Sequence, residues 1–161
     1  VSALERLSAT LNGWIEYLLF GIGLSMTVVV AVQVFFRYGL NQSLFWSEEL
    51  ARYLLVWLSF LGASVAYRRK AHPGIDILQA KMPAVLQRLS AITVHLASLA
   101  LFIVMIVYGY RFAYFVRLQI SPALYLPKWI VFSIIPISGF ILMIHGFNFL
   151  LQEVTRAHRD H

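Results

Sequence analysis

The chain has 161 residues, 60% of them hydrophobic and 12% charged, with a formal charge of +6 and no cysteine. A soluble domain carries about 25% charged residues, and 161 residues cannot enclose this much apolar side chain, so lipid must cover much of the surface. The missing cysteine excludes disulfides, thiolate metal sites and thiol nucleophiles, and the basic excess reads as the flanks of membrane helices rather than as a nucleic-acid surface.

The first uncharged run, 17–36, is long enough to cross about 30 Å of hydrocarbon, and with its flank the span is placed at about 14–36. Its basic flank is weak and its length exceeds a signal-peptide core, so it reads as a retained helix. Gly21 and Ser25 are four apart, as are Ser59 and Ala63, and Gly62 and Ala66. Small residues at that spacing let helices approach closely.

Span two, 48–67, has a charged entrance. Ser47 is the expected N-cap, because its hydroxyl can accept from a free backbone N–H. Glu48 and Glu49 follow at the positive end of the helix dipole. Arg52 stands four residues after Glu48 and three after Glu49, within ion-pair reach on one face. No charge occurs from Tyr53 to Tyr67, and Arg68, Arg69 and Lys70 then close the helix. That basic run reads as a topology anchor.

Pro73-Gly74 predicts a turn. Beyond it Asp76, Gln79, Pro83 and Gln87 share one helical face, against Ile75, Ile77, Leu78, Met82, Val85 and Leu86. The pattern predicts a helix of about 75–83 lying in the membrane surface. Span three is 89–112, and Pro83 suits the first turn of the helix leading into it. Span four is 129–152; Pro136 removes the bond to the Phe132 carbonyl and predicts a kink. Trp14, Tyr38, Trp46, Tyr110, Tyr125 and Trp129 sit near span ends, as an interfacial belt does. The expected fold is all-α: one membrane domain over 1–161, a four-helix transmembrane bundle with a surface amphipathic helix between spans two and three.

Four spans put the termini and the 68–88 segment on one side. That side carries Arg6, Arg68, Arg69, Lys70, Lys81, Arg88, Arg156 and Arg159; the other carries Arg37, Arg52, Arg111, Arg117 and Lys128. Eight against five predicts cytoplasmic termini.

A solute pathway or an enzyme would place charged residues in mid-membrane or break a helix with polar residues. The spans hold almost none. His95 and His145 are the deep ionisable candidates. Each lies about six residues from the same membrane face, so they could hold a haem between them, as in a haem b-binding membrane anchor subunit of a respiratory enzyme. Otherwise each hydrogen-bonds a neighbour in the bundle. Glu48 and Glu49 could form a cation site, or complement the helix dipole and pair with Arg52. The basic set Arg37, Arg52, Arg111, Arg117 and Lys128 could dock an acidic partner or touch lipid headgroups. An autonomous channel would need a polar path that these spans do not supply.

Phe36-Arg37-Tyr38, Asn41, Trp46-Ser47-Glu48-Glu49-Leu50-Ala51-Arg52-Tyr53, Trp57, Leu61-Gly62-Ala63, Arg68-Arg69, His72, Ile75-Asp76, Leu126-Pro127-Lys128-Trp129 and Pro136 together resemble the small membrane subunit of tripartite ATP-independent periplasmic (TRAP) transporters. The resemblance covers nearly the whole chain and is most specific over 36–76. Pro73-Gly74 departs from it, since many relatives have a non-proline step there. The resemblance implies a bacterial inner-membrane protein without cofactor or enzymatic activity. TRAP systems import organic acids on a sodium gradient. A soluble periplasmic protein captures the ligand, and a large elevator-type membrane subunit carries it. The small subunit packs on the static scaffold of the large one. On that basis Arg37, Trp46, Glu48, Glu49 and Arg52 are the candidate partner contacts, with the 46–52 segment meeting the periplasmic protein transiently.

Overall fold

The structure is a computed structural model that describes residues 3–69 and 84–159. Lys70 and the expected surface helix at 75–83 lie outside the described residues. The helices are α1 (Ala3–Gly39), α2 (Phe45–Arg68), α3 (Ala84–Phe115), α4 (Lys128–Phe132) and α5 (Ile134–Arg159). Four stretches are long and apolar enough to cross a membrane: α1, α2, Ile92–Phe115 of α3, and Lys128–Gln152 across α4 and α5. Helix is the natural state of such runs, because it pairs every backbone polar group within its own segment.

α1 has 37 residues, about 55 Å at 1.5 Å per residue, well beyond the hydrocarbon thickness. The helix therefore begins eleven residues before the expected span. Its buried positions, Ser8, Ile15 and Ile22, are seven apart and form one narrow stripe. Partly buried residues such as Glu16, Leu19 and Gln33 flank the stripe, and much of the remaining surface of the helix is exposed. α1 ends at Gly39, and Asn41 turns the chain with φ 53°, a left-handed conformation that asparagine tolerates.

α2 starts at Phe45, with Leu44 at the cap position and no side-chain cap bond. The expected N-cap, Ser47, is thus inside the first turn. Its hydroxyl donates to the Leu44 carbonyl at 2.7 Å, and the residue is fully buried. The apolar pair Phe45 and Trp46 extends the helix, and Ser47 turns inward instead of capping.

Two apolar clusters hold the bundle. Ile15 and Ile22 of α1, Leu61 and Val65 of α2 and Ile134 of α5 form one. Leu99 and Phe102 of α3 with Leu142 of α5 form the other, against Tyr67. Glycines let α3 and α5 approach closely. A Cβ on Gly109 would stand 2.7 Å from Ile135 Cγ2, and one on Gly139 would stand 3.0 Å from Ile106 Cγ1. Gly146 meets Leu99 and Phe102 in the same way. Gly21 and Gly62, by contrast, have nothing within 4 Å of a would-be Cβ. The small-residue spacings expected to mark helix contacts within the chain therefore do not mark them. Spacing identifies a permissive face but not what lies opposite it.

The expected kink in span four is a break between α4 and α5 at Ser133. Ser133 N–H bonds back to Trp129 O at 2.8 Å. Pro136 has no N–H to give Phe132 O, so the helix is weakest one residue beyond that carbonyl. The 116–127 connection folds on itself: Ile120 and Pro127 form an antiparallel bridge, with Ser121 N–H to Leu126 O and Lys128 N–H to Gln119 O, both 2.9 Å.

Candidate functional site

Polar contacts concentrate at the two ends of the bundle. The loop end carries the 40–44 turn and the 116–127 connection; the other end carries the start of α1, the end of α5 and Arg68–Arg69.

At the loop end, Glu49 is the central group. One oxygen of its carboxylate accepts from the N–H of Ala123 at 2.8 Å and of Leu124 at 3.2 Å. The other accepts from the Tyr53 hydroxyl one turn on. A carboxylate bonded to backbone donors makes a stronger contact than a neutral acceptor. Glu49 thus ties α2 to the connection before α4. Glu48 points elsewhere, with Gln33 Nε2 of α1 at 3.4 Å. Neither carboxylate pairs with Arg52 among the described residues. Arg37, Arg52 and Glu48 are exposed, and Trp46 is 41% exposed. The structure gathers the five candidate contacts at one end, four facing outward and Glu49 turned in. One turn beyond Tyr53, Trp57 Nε1 donates to the Val131 carbonyl at 3.2 Å, beside the helix break.

At the other end, Glu16 of α1 accepts from Asn12 Nδ2 at 2.6 Å and from Arg69 Nη2 at 2.7 Å. Arg69 therefore joins α1 to α2 as well as supplying positive charge. Sequence reasoning missed this pair, because 53 positions separate its members. Arg68 is half-buried beside it.

The two deep histidines occupy different settings. His145 is fully buried, and its Nδ1 lies 2.8 Å from Ser8 Oγ of α1. His95 lies against the Phe149 ring, centroids 6.3 Å apart. Ser8 takes one ring nitrogen of His145, and the residue is packed on all sides. The arrangement gives no support to a haem site. No group of three or more His, Asp or Glu is placed to hold a metal among the described residues.

Four long apolar helices with a largely apolar exposed surface and polar contacts concentrated towards the ends describe a multi-pass membrane protein. Comparison with known families decides which kind. The profile described as "Tripartite ATP-independent periplasmic transporters, DctQ component" matches residues 26–156. The chain belongs to this TRAP transporter family. It is a multi-pass, all-α membrane member of it, related to the small permeases.

A Haemophilus influenzae protein bearing the name of a TRAP small permease is 35% identical over 80 residues, half of each chain. The Vibrio cholerae sialic acid TRAP transporter small permease protein SiaQ is 28% identical over 110 residues, 68% of this chain and 64% of its own. The isethionate TRAP transporter permease protein DctMQ of Oleidesulfovibrio alaskensis is 26% identical over 161 residues, 89% of this chain but only 24% of its own length. This TRAP-family chain thus spans about half the length of the first of these relatives and a quarter of the isethionate permease.

Proposed function

We propose that this chain is the non-catalytic scaffold subunit of a sodium-coupled TRAP importer of organic acids. In this reading it sits in the bacterial inner membrane with both termini in the cytoplasm. It packs on the large elevator-type subunit and needs no cofactor. One observation carries the reading: nearly the whole chain aligns with one quarter of the much longer DctMQ permease. There the same kind of segment is continuous with a large additional portion. The relatives named for sialic acid and isethionate support an organic acid as cargo.

The fold suits a part that stays still while another moves. Long helices anchored at both ends by polar contacts and by interfacial aromatics resist vertical displacement. In lipid, association with the large subunit rests on close packing rather than on hydrophobic drive. Arg37, Trp46, Glu48 and Arg52 form the outward surface for the transient contact with the periplasmic binding protein, and Glu49 braces it from within. Arg68, Arg69 and Lys70 anchor the topology.

The test is affinity purification of the tagged chain from its native membrane in mild detergent, followed by reconstitution. A stoichiometric large multi-span protein should co-purify, and sodium-dependent uptake of an organic acid should require both proteins. Recovery of the chain alone, even after crosslinking, would overturn the scaffold reading. With assembly confirmed, Arg52→Glu should weaken binding-protein-dependent uptake; unchanged uptake would remove the 46–52 contact.

A further inference from the structure

Where α3 ends and α4 begins, the helices part. Tyr110, Ala113, Tyr114 and Arg117 on one side and Trp129, Ser133 and Pro136 on the other line a groove of about 410 Å³. Ala113 and Ser133 are small and leave room between the larger side chains, at the helix break before Pro136. The walls are nearly all carbon, and Tyr110, Tyr114 and Trp129 are exposed around it. These are residues of the interfacial belt, so the groove opens at headgroup depth.

One rim carries a fixed cation. The Arg117 guanidinium lies 3.7 Å from the centroid of the Tyr114 ring, and its Nη1 donates to Tyr114 O at 3.1 Å. That leaves most of its N–H fork free for an acceptor. The nearby positive charges are not offset. No Asp or Glu occurs between Asp76 and Glu153, whereas Arg111, Arg117 and Lys128 do. Lys128 Nζ is engaged by the neutral Gln119 at 3.2 Å. Glu49, the acidic group that reaches this connection, is committed to the N–H groups of Ala123 and Leu124. The chemistry required of an occupant is therefore an anionic head joined to a long apolar tail. A small soluble acid would leave the walls wet, and an uncharged chain would leave Arg117 unanswered.

We propose that this groove binds one anionic phospholipid, its phosphate on Arg117 and an acyl chain between Ala113 and Pro136. The planar guanidinium suits bidentate phosphate contact. Such a lipid would fill the space at the helix break and wedge α3 against α4. The proposal does not depend on the transport reading, since it concerns only this groove and the bilayer.

The test uses the full protein, with any large subunit that co-purifies, and phosphatidylglycerol bearing a photoreactive group in its acyl chain. Adducts mapped by mass spectrometry should concentrate on Tyr110, Tyr114 and Trp129. Unlabelled phosphatidylglycerol should compete with labelling and phosphatidylcholine should not. Arg117→Gln should lower the yield at these residues several-fold, and Arg117→Lys should retain more of it. Adducts spread evenly over all lipid-facing helices would overturn the proposal, as would an unchanged yield in Arg117→Gln. Crosslinks from the groove to another protein and not to lipid would also overturn it, by showing that a partner covers the groove. If Arg117→Gln fails to fold, the wild-type adduct map and the competition still decide.

Discussion

Glu49 Oε2 accepts from the backbone N–H of Ala123 at 2.8 Å, across 74 positions of sequence. This contact, with the second bond to Leu124, holds the 116–127 connection against the start of α2. Arg52 and Trp46 stand on the same helix turns and face outward. An inward carboxylate thus fixes the connection that lies beside the outward residues of this end.

Glu49→Gln should therefore loosen the connection without unfolding the bundle. The amide keeps an acceptor but loses the charge that strengthens both bonds. Hydrogen exchange at Ala123 and Leu124 should speed up several-fold while the amides of α3 stay protected. Equal acceleration throughout α3 would mean that Glu49 supports the bundle as a whole.

Trp57→Phe removes the indole N–H that the Val131 carbonyl accepts beside the break at Ser133, together with part of the ring's packing. The bond alone is worth about 0.5–1.5 kcal/mol and the lost ring volume adds to it, read as a lower denaturation midpoint in detergent. An unchanged midpoint would show that water or lipid headgroups reach that carbonyl.

What could be read from sequence and what could not divide along a physical line. The four spans and the break near Pro136 follow from local properties, hydropathy and a missing N–H, and both are visible in a single window. The family resemblance covers nearly the whole chain and is most specific over 36–76, the stretch that carries Glu49 and its neighbours. Contacts between distant positions leave no such trace. Glu49 looked like a partner for Arg52 because i+3 is the nearest option in sequence, yet backbone donors 74 positions away take it. Ser8 is an instructive intermediate case. It lies seven residues before Ile15 and fourteen before Ile22, so the stripe that places it in the core was present in the sequence. The span boundary at 14 hid it, because hydropathy marks where lipid is and not where a helix starts.

The α3–α5 crossing makes a graded prediction. Gly109→Ala puts a methyl 2.7 Å from Ile135 Cγ2 and 3.0 Å from Pro136 Cδ, atoms close to a stiff backbone. Gly139→Ala meets Met105 Cβ at 3.2 Å and the Ile106 backbone nitrogen at 3.3 Å. Both should lose about 1–3 kcal/mol, the range for overpacked cores. Gly146→Ala first meets the tips of Leu99 and Phe102 at 3.1 and 3.2 Å, which can move, so its cost should be smaller. Gly21→Ala and Gly62→Ala should be neutral or gain up to about 1 kcal/mol of helix propensity in the isolated chain. If either one instead weakens co-purification of the large subunit, that glycine lies in the intersubunit contact. Equal effects at all five positions would contradict the packing described above.

Ser8→Ala tests whether the start of α1 is part of the bundle. Ser8 and His145 are both buried and 2.8 Å apart. Removing the hydroxyl leaves the imidazole Nδ1 without that partner in an apolar setting, at a cost of about 1–3 kcal/mol. The effect should be local. Residues 3–13 pack through few buried side chains, so their release should precede global unfolding. Trypsin should then cut at the exposed Arg6 faster than in the wild-type protein, while sites beyond Arg37 keep their rates. His145→Ala should reproduce the faster cleavage, because it removes the same bond from the other side. If neither substitution changes cleavage at Arg6, the Ile15 and Ile22 contacts and the Glu16–Arg69 pair hold α1 in place without it, and the Ser8–His145 bond serves only to satisfy a buried imidazole.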